Sequence, residues 1–431
     1  MSNLGAITAV KGFRDVLPAE SRHWRRLEDV AEKVFGRYGF GEIRLPLVER
    51  TELFARSLGD TTDIVEKEMY SFVDREETAL TLRPEATAGV VRAYLESGLV
   101  QRDPTARLYY RGPMFRRERP QRGRYRQFYQ IGAEVFGRDD ALADAELLVM
   151  LTRYLAEVGA RATRLELNSV GDRTCRPLYR ERLRAFGLAE LAALCPDCHR
   201  RLERNPLRIL DCKVEGCQRV LARAPVMLDS LCDACRTHLE EVRALLEQEA
   251  VSYAMNPRLV RGLDYYCRTA FEVVGARLGA QNAVGGGGRY DGLVAALGGP
   301  DVPGLGFALG LERLAMVTGE PEVAAAGPLA DILPLGDRAV GPALALATRL
   351  RDQGIEVALE PAGRSLKALL RAADRRGARL ALILGDEELQ AGRITVRDLD
   401  RHEDRRQALG LDVPGPELAR TLHALTMESS A

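Results

Sequence analysis

Lysine, histidine and tryptophan are scarce in this chain of 431 residues: five, five and one. None of His23, His199, His238, His402 and His423 lies in the motifs described below, so a histidine general base is not indicated. An excess of charge of either sign is missing too, since 62 basic residues balance 62 acidic ones. That excludes a globally cationic surface and leaves any nucleic-acid contact to local basic patches. No window reaches the roughly 18 apolar residues that a membrane span requires. The opening MSNLGAITAV lacks a charged stretch followed by a long apolar run, which makes a cytoplasmic protein the expectation. Arginine takes nearly all the basic positions, a compositional bias from which no function is drawn. What is present is ordinary globular composition, 46% hydrophobic and 29% charged, in a chain long enough for two or three domains.

The densest chemistry lies between Arg107 and Phe136, RLYYRGPMFRRERPQRGRYRQFYQIGAEVF. It reads as two strands around a basic loop. Alternate strand residues share a face, so Gln130 and Glu134 point the same way, as on a binding floor. The loop carries Arg116, Arg117, Arg119, Arg122, Arg124 and Arg126, with Glu118 as its only acid. Such a cluster suits phosphate, and a solvated, charge-rich hairpin is the alternative. The segment resembles the second signature motif of class II aminoacyl-tRNA synthetases, in the form used by histidyl-tRNA synthetases. The resemblance implies that Arg116 grips the α-phosphate of ATP with Arg124 in the same site, and that the hairpin loop approaches the acceptor end of a tRNA.

Upstream, KGFRDVLP leads into a helical pattern of Trp24, Leu27, Val30, Ala31, Val34 and Phe35. GFGEIRLPLVERTELFARSLG then reads as a strand, Pro46 and a second helix. Physically this is a helix packing on a strand; it resembles the first class II motif, which implies a homodimer interface. From Lys67 to Leu99 come two short strands and a helix beginning near Pro84. Glu85 and Thr87 sit at its positive end, where they either cap it or hold an ammonium group. Arg-Pro-Glu-x-Thr matches the family segment that binds the amino group of histidine, with Ala86 where Gly is frequent.

Residues 139 to 160 read as a helix and RLELNSVG as a strand into a turn. From Asp172 to about Ala250 the pattern is mostly helical and holds Cys195, Cys198, Cys212, Cys217, Cys232 and Cys235. Two pairs are C-x-x-C, and without a secretory signal disulfides are disfavoured. Cys195, Cys198, Cys232 and Cys235 could close a tetrahedral zinc site. Against this, the gap is longer than in common zinc ribbons and a central pair is left over. The resemblance requires no metal here, so reduced structural thiols are the expectation. It also implies that this block is inserted in the catalytic core and reaches toward the tRNA acceptor arm.

LVRGLDYY resembles a segment peculiar to histidyl-tRNA synthetases, with Arg261 beside Gly262, then Tyr265 and Tyr266. An Arg at a strand edge next to Gly is a preorganised cation for phosphate displacement, and phenols can fix a ring. A surface Arg on an ordinary strand is the alternative. Cys267 replaces a residue that is commonly Asn in the family. AVGGGGRYDGLV, residues 283 to 294, is neither a Rossmann fingerprint nor a P-loop. GLGFALGLERL, 304 to 314, resembles the third class II motif, which implies that Arg313 lies over adenine near the γ-phosphate. A Pro, Gly and Ala linker, 319 to 331, precedes alternating strands and helices that read as a small α/β domain with a mainly parallel sheet. Its basic helix carries Arg364, Lys367, Arg371, Arg375 and Arg376, either as a solvated face or, by resemblance, against the anticodon.

The whole resemblance implies an α+β class II catalytic core, an antiparallel sheet flanked by helices, with a helical insertion and a C-terminal α/β anticodon-binding domain. The expected boundaries are 1–171 and 251–325 for the core, 172–250 for the insertion and 331–431 for the last domain. The implied activity is histidine–tRNA ligation: ATP and L-histidine give the adenylate, with Arg116, Arg261 and Arg313 as cations and Mg²⁺ bridging phosphates, and histidine passes to tRNA(His). Glu85 and Thr87 would take the α-amine, and Glu134, Gln130, Tyr265 and Tyr266 the imidazole. The alternative is a non-catalytic paralogue, the regulatory subunit of ATP phosphoribosyltransferase, which generally lacks the LVRGLDYY Arg and the last domain.

Overall fold

The computed structural model describes residues 7–59, 62, 64–121, 123–261, 265–276, 278, 282–319, 329–399 and 407–428. Arg122, Gly262, His402 and residues 320–328 of the linker lie outside the described residues. Two compact units result, Met1–Glu320 and Pro321–Ala431.

In the first unit the strands are β1 (Gly41–Glu42), β2 (Val48–Arg50), β3 (Tyr70–Val73), β4 (Ala79–Leu82), β5 (Arg107–Phe115), β6 (Gln127–Phe136), β7 (Thr163–Ser169), β8 (Tyr253–Met255), β9 (Cys267–Gly275), β10 (Ala283–Arg289) and β11 (Gly304–Gly310). Eight of them form one sheet in the order β1-β5-β6-β11-β10-β9-β7-β8, and β2-β4-β3 form a small separate sheet. All pairs in the large sheet are antiparallel except β1 with β5 and β7 with β8, at its two edges.

Period-two alternation decides which side of β6 meets what. Ile131, Ala133 and Val135 turn into the main core, where they meet Trp24, Leu27, Val34 and Phe35 of the helix Pro18–Arg37 and Leu147, Leu148 and Leu151 of the helix Ala141–Glu157. Gln130, Gly132 and Glu134 are left for the opposite face. The N-terminal helix is pinned further by the Tyr154 hydroxyl, which donates to Leu27 O at 3.1 Å. Before it, the KGFRD segment is clasped against the basic loop: Arg126 N–H donates to Gly12 O at 2.7 Å, and Arg14 pairs with Glu20 beneath the Trp24 and Tyr125 rings. Arg126 thus serves the fold.

The helices of the cysteine-bearing block, Arg176–Ala189, Pro196–Arg204, Glu215–Leu221 and Asp233–Gln248, share the sheet's core, with Leu183, Leu202 and Val242 in the same buried cluster as Leu165 and Leu167 of β7. The two C-x-x-C pairs do not converge, which rules out the set of Cys195, Cys198, Cys232 and Cys235 that spacing had left open. Cys195 and Cys198 gather with Cys212 and Cys217, whereas Cys232 and Cys235 gather with Asp172 and Cys175. The reason is local: each pair opens a different helix, and the turns between fold the central pair back on the first.

The second unit holds β12 (Ala330–Pro334), β13 (Val357–Leu359), β14 (Leu380–Leu384), β15 (Arg393–Asp398) and β16 (Gln407–Gly410), in the order β13-β12-β14-β15-β16. The first three are mutually parallel and the last two antiparallel, so the expected mainly parallel sheet is mixed. Only the short helix Asp386–Gln390 joins β14 to β15, too little chain for a parallel crossover. Arg376 leaves the expected basic face: it reaches the buried Asp331 and, at 2.5 Å, Glu360. Arg364, Lys367, Arg371 and Arg375 stay exposed.

One buried ion pair ties the end of β10 to the helix Ala141–Glu157. Arg289, fully buried, donates twice to Asp144 Oδ2, at 2.9 and 2.6 Å, and also to Asp291 Oδ1, Arg138 O and Asp140 O. Removing Asp144 leaves the buried Arg289 with Asp291, 3.1 Å away, as its remaining carboxylate partner. Asp144→Ala should therefore cost about 3–5 kcal/mol in urea unfolding of the full chain; a loss under about 1 kcal/mol would show that the pair carries no such charge penalty.

Candidate active site

On the open face of the large sheet lies a cleft of about 930 Å³, and it draws together all ten residues singled out from sequence: Glu85, Thr87, Arg116, Arg124, Gln130, Glu134, Arg261, Tyr265, Tyr266 and Arg313. They come from five separate stretches of chain. Glu134 sits in the floor, 1% exposed, and both its oxygens are engaged: Thr87 Oγ1 donates at 2.7 Å and Tyr290 Oη at 2.6 Å. Burial pushes its carboxyl up to about 8, against the pull of those two hydrogen bonds. Only glycine fits opposite it. Gly306 pairs with Glu134 across β11 and β6, and a Cβ there would lie 1.6 Å from Glu134 Oε2.

Glu85 and Thr87 stand where the helix Thr87–Glu96 begins, three residues later than expected from Pro84. The Glu85 carboxylate accepts from Thr87 N at 2.7 Å and Ala88 N at 2.9 Å, so it caps that helix. Burial raises its pKa, and the two backbone donors oppose the rise. Thr87 spends its hydroxyl proton on Glu134.

The other end of the cleft is cationic. Arg116 donates to Pro84 O at 2.8 Å and lies over the Phe128 ring, 5.3 Å from its centroid. Arg124 meets Glu118 at 2.7 Å. Arg313, in the first turn of the helix Leu311–Thr318, donates to Gly123 O at 3.2 Å and to Ala283 O, and so bridges the basic loop and β10. Burial lowers its pKa, with Arg124 adding to the effect. Arg261 belongs to the loop between β8 and β9, not to a strand as expected; Glu272 of β9 holds its Nη1 at 2.9 Å. Gly286 makes room for it, since a Cβ there would come within 2.6 Å of Arg261 Nη1. Tyr265 and Tyr266 pack their rings 4.7 Å apart, and Arg261 lies over Tyr266.

Two buried polar atoms in this cleft have no hydrogen-bond partner among the described residues: the acceptor Gln130 Oε1 and the donor Arg261 Nε. A buried polar atom without a partner is costly, and a ligand carrying a donor and an acceptor removes that cost. Reasoning from sequence missed Tyr290 and Glu312. Tyr290 stands one residue past the glycine run, after Arg289, and no local pattern marks it. Glu312 sits beside Arg313 and accepts from Tyr129 N–H with both oxygens, at 3.1 and 3.2 Å; burial lifts it to about 7.

The raised Glu134 pKa has a sign in folding. Between pH 4.5, the ordinary value, and about 8 the folded protein keeps a proton that the unfolded chain has lost, so this group's contribution to stability falls as pH rises through that window. Glu134→Gln should flatten the decline in melting temperature between pH 5 and 8. An unchanged slope would mean that Glu134 does not titrate there.

Comparison with known proteins bears on the whole chain. The sequence profile described as Histidyl-tRNA synthetase matches residues 12–314, and that of an Anticodon binding domain matches residues 330–411. A protein named Histidine--tRNA ligase from Geobacter metallireducens is 52% identical over 394 residues, 91% of this chain and 95% of its own length. The one from Nitratidesulfovibrio vulgaris (strain DP4) is 51% identical over 417 residues, 96% of this chain and 99% of its own. Among solved structures, apo S. aureus histidyl-tRNA synthetase superposes with a TM-score of 0.79 at 34% identity, covering 97% of this chain and all of that one. An ATP phosphoribosyltransferase regulatory subunit/histidyl-tRNA synthetase from Bacillus halodurans C shares the fold, with a TM-score of 0.64 at 20% identity, covering 88% of this chain and 97% of its own. With a match of this strength across core, cleft and C-terminal unit, the chain belongs to the histidyl-tRNA synthetase family.

Proposed function

We propose that this chain is a ligase that activates L-histidine with ATP and transfers it to tRNA(His). In the first step a histidine carboxylate oxygen attacks the α-phosphorus, the bond to the β-phosphate oxygen breaks and pyrophosphate leaves. In the second, the terminal adenosine hydroxyl of the tRNA attacks the adenylate carbonyl and AMP leaves. The observation that carries the reading is the division of the cleft: a buried acid and the unpaired Gln130 Oε1 at one end, a cluster of arginines at the other.

Positioning and charge do the work. Arg116, Arg124, Arg261 and Arg313 neutralise the phosphates and the charge that grows on the leaving group. Glu85 offers its remaining lone pairs to the α-ammonium group. Glu134 takes the imidazole N–H, with Gln130, Tyr265 and Tyr266 around the ring. ATP comes as its Mg²⁺ complex. The acids of the cleft suit an all-protein cage poorly, because Glu118 is held by Arg124, Glu312 by Tyr129 N–H, Glu85 by its helix and Glu134 by two hydroxyls. We therefore assign the ion no protein ligand.

The reading carries with it a cytoplasmic homodimer. Support for the dimer comes from Leu47, Val48, Phe72 and Val73, apolar and exposed around the small β2-β4-β3 sheet. The segments 1–171 and 251–325 would form the catalytic core, 172–250 would approach the acceptor arm, and 331–431 would meet the anticodon through Arg364, Lys367, Arg371 and Arg375. A regulatory role in place of catalysis is not favoured, because relatives at 51–52% identity carry the ligase name.

ATP–pyrophosphate exchange, run with each standard amino acid and no tRNA, should proceed with histidine alone. Folded protein that exchanges with none would overturn the assignment. Glu134→Ala should raise the histidine KM by about 100-fold or more and leave the ATP KM within about threefold. Unchanged histidine constants would remove Glu134 from the specificity role.

A further inference from the structure

Seven cysteines and one aspartate of the helical block stand in two groups of four that the reaction does not use. In the first, the Sγ atoms of Cys195, Cys198, Cys212 and Cys217 all lie within 4.8 Å of one another; in the second, Cys175, Cys232, Cys235 and a carboxylate oxygen of Asp172 do the same. None of the cysteines is in a disulfide. We propose that each group binds one zinc ion, so that the helical block is held by two structural metals, one with four thiolates and one with three thiolates and a carboxylate.

The geometry favours metal over plain packing. Tetrahedral zinc with Zn–S bonds of about 2.3 Å sets its sulfurs about 3.8 Å apart, and a Zn–O bond of about 2.0 Å sets sulfur and oxygen about 3.5 Å apart. Cys195 Sγ and Cys212 Sγ are 3.8 Å apart, Cys175 Sγ and Cys235 Sγ 3.9 Å, and Asp172 Oδ1 is 3.6 Å from Cys175 Sγ and 3.9 Å from Cys232 Sγ. Buried thiols acting as small hydrophobes have no reason to converge in fours.

The backbone is arranged for charge as well. Cys175, Cys195 and Cys232 each occupy the N-cap of a helix, and none makes a side-chain capping bond; Cys198 and Cys235 follow in the first turn. The helix dipole favours a thiolate at each of these places. Cys195 N–H donates to Cys217 Sγ at 3.1 Å, and Thr174 N–H holds the Asp172 carboxylate at 2.9 Å, so a backbone N–H orients a ligand in each group. Cys195 and Cys232 are only partly buried, which leaves a way in for the ion.

Topology assigns the sites different work. The first closes a loop wholly inside the block. The second joins Asp172 and Cys175, where the chain leaves β7, to Cys232 and Cys235, where the last helix of the block starts its return to β8. A metal there would lock entrance to exit, and the first site lies inside the loop it closes.

Full-length protein, purified with a reductant, equilibrated with zinc and dialysed, should retain about two equivalents of zinc by elemental analysis. Cys212→Ser and Cys232→Ser should each lower this to about one. Cobalt in place of zinc should give tetrahedral d–d bands with thiolate charge transfer, weaker in each variant. Wild-type protein that retains under about 0.1 equivalent overturns the proposal whatever the variants do. Retention of about one equivalent, lost in Cys212→Ser, overturns the second site alone.

Discussion

The hydrogen bonds from Thr87 and Tyr290 to the buried Glu134 are the constraint on which the site depends. They join the start of a helix, the inner strand β6 of the large sheet and the residue that follows the glycine strand. Burying one acid in this way sets demands around it. The neighbouring strand must present glycine at 306, because any side chain there would occupy the place of the carboxyl. The proton it holds near neutral pH comes from removal of water, the same condition that lets a site tell a polar ring from an apolar one.

Charge in the cleft is divided by position along the sheet. Both oxygens of the buried Glu134 accept hydrogen bonds at the acid end, whereas the arginine end rests on backbone carbonyls and on Glu118, contacts that orient the guanidinium groups. Arg261 lies between the two, with Glu272 behind it and an open Nε.

The parts legible in sequence were those with a short-range signature. Alternation in β6 marks Gln130 and Glu134 as co-facial, and the arginine-rich loop announces phosphate chemistry. What could not be read were contacts set by tertiary placement. Sequence left Glu85 open between capping its helix and holding an ammonium group, and only the fold shows that its carboxylate accepts from the N–H groups of Thr87 and Ala88. Arg376 and Arg126 look like members of basic patches, but one is taken up by Asp331 and Glu360 and the other donates from its side chain to Lys11 O of the N-terminal segment. Tyr290 carries no local pattern and matters only because its strand ends over Glu134. The cysteines show the same limit: spacing identified the C-x-x-C pairs, and only the fold could say which residues they meet.

The claim at the centre of this account is that the acid floor recognises a ring N–H. Its most direct test compares histidine with 2-thiazolylalanine, which keeps the five-membered ring and lacks the N–H, by kcat/KM in ATP–pyrophosphate exchange. A preference for histidine of about 10⁴ is the expected result for a site built around that hydrogen bond. A preference below about tenfold would contradict it, since a pocket that reads only shape discriminates to that extent.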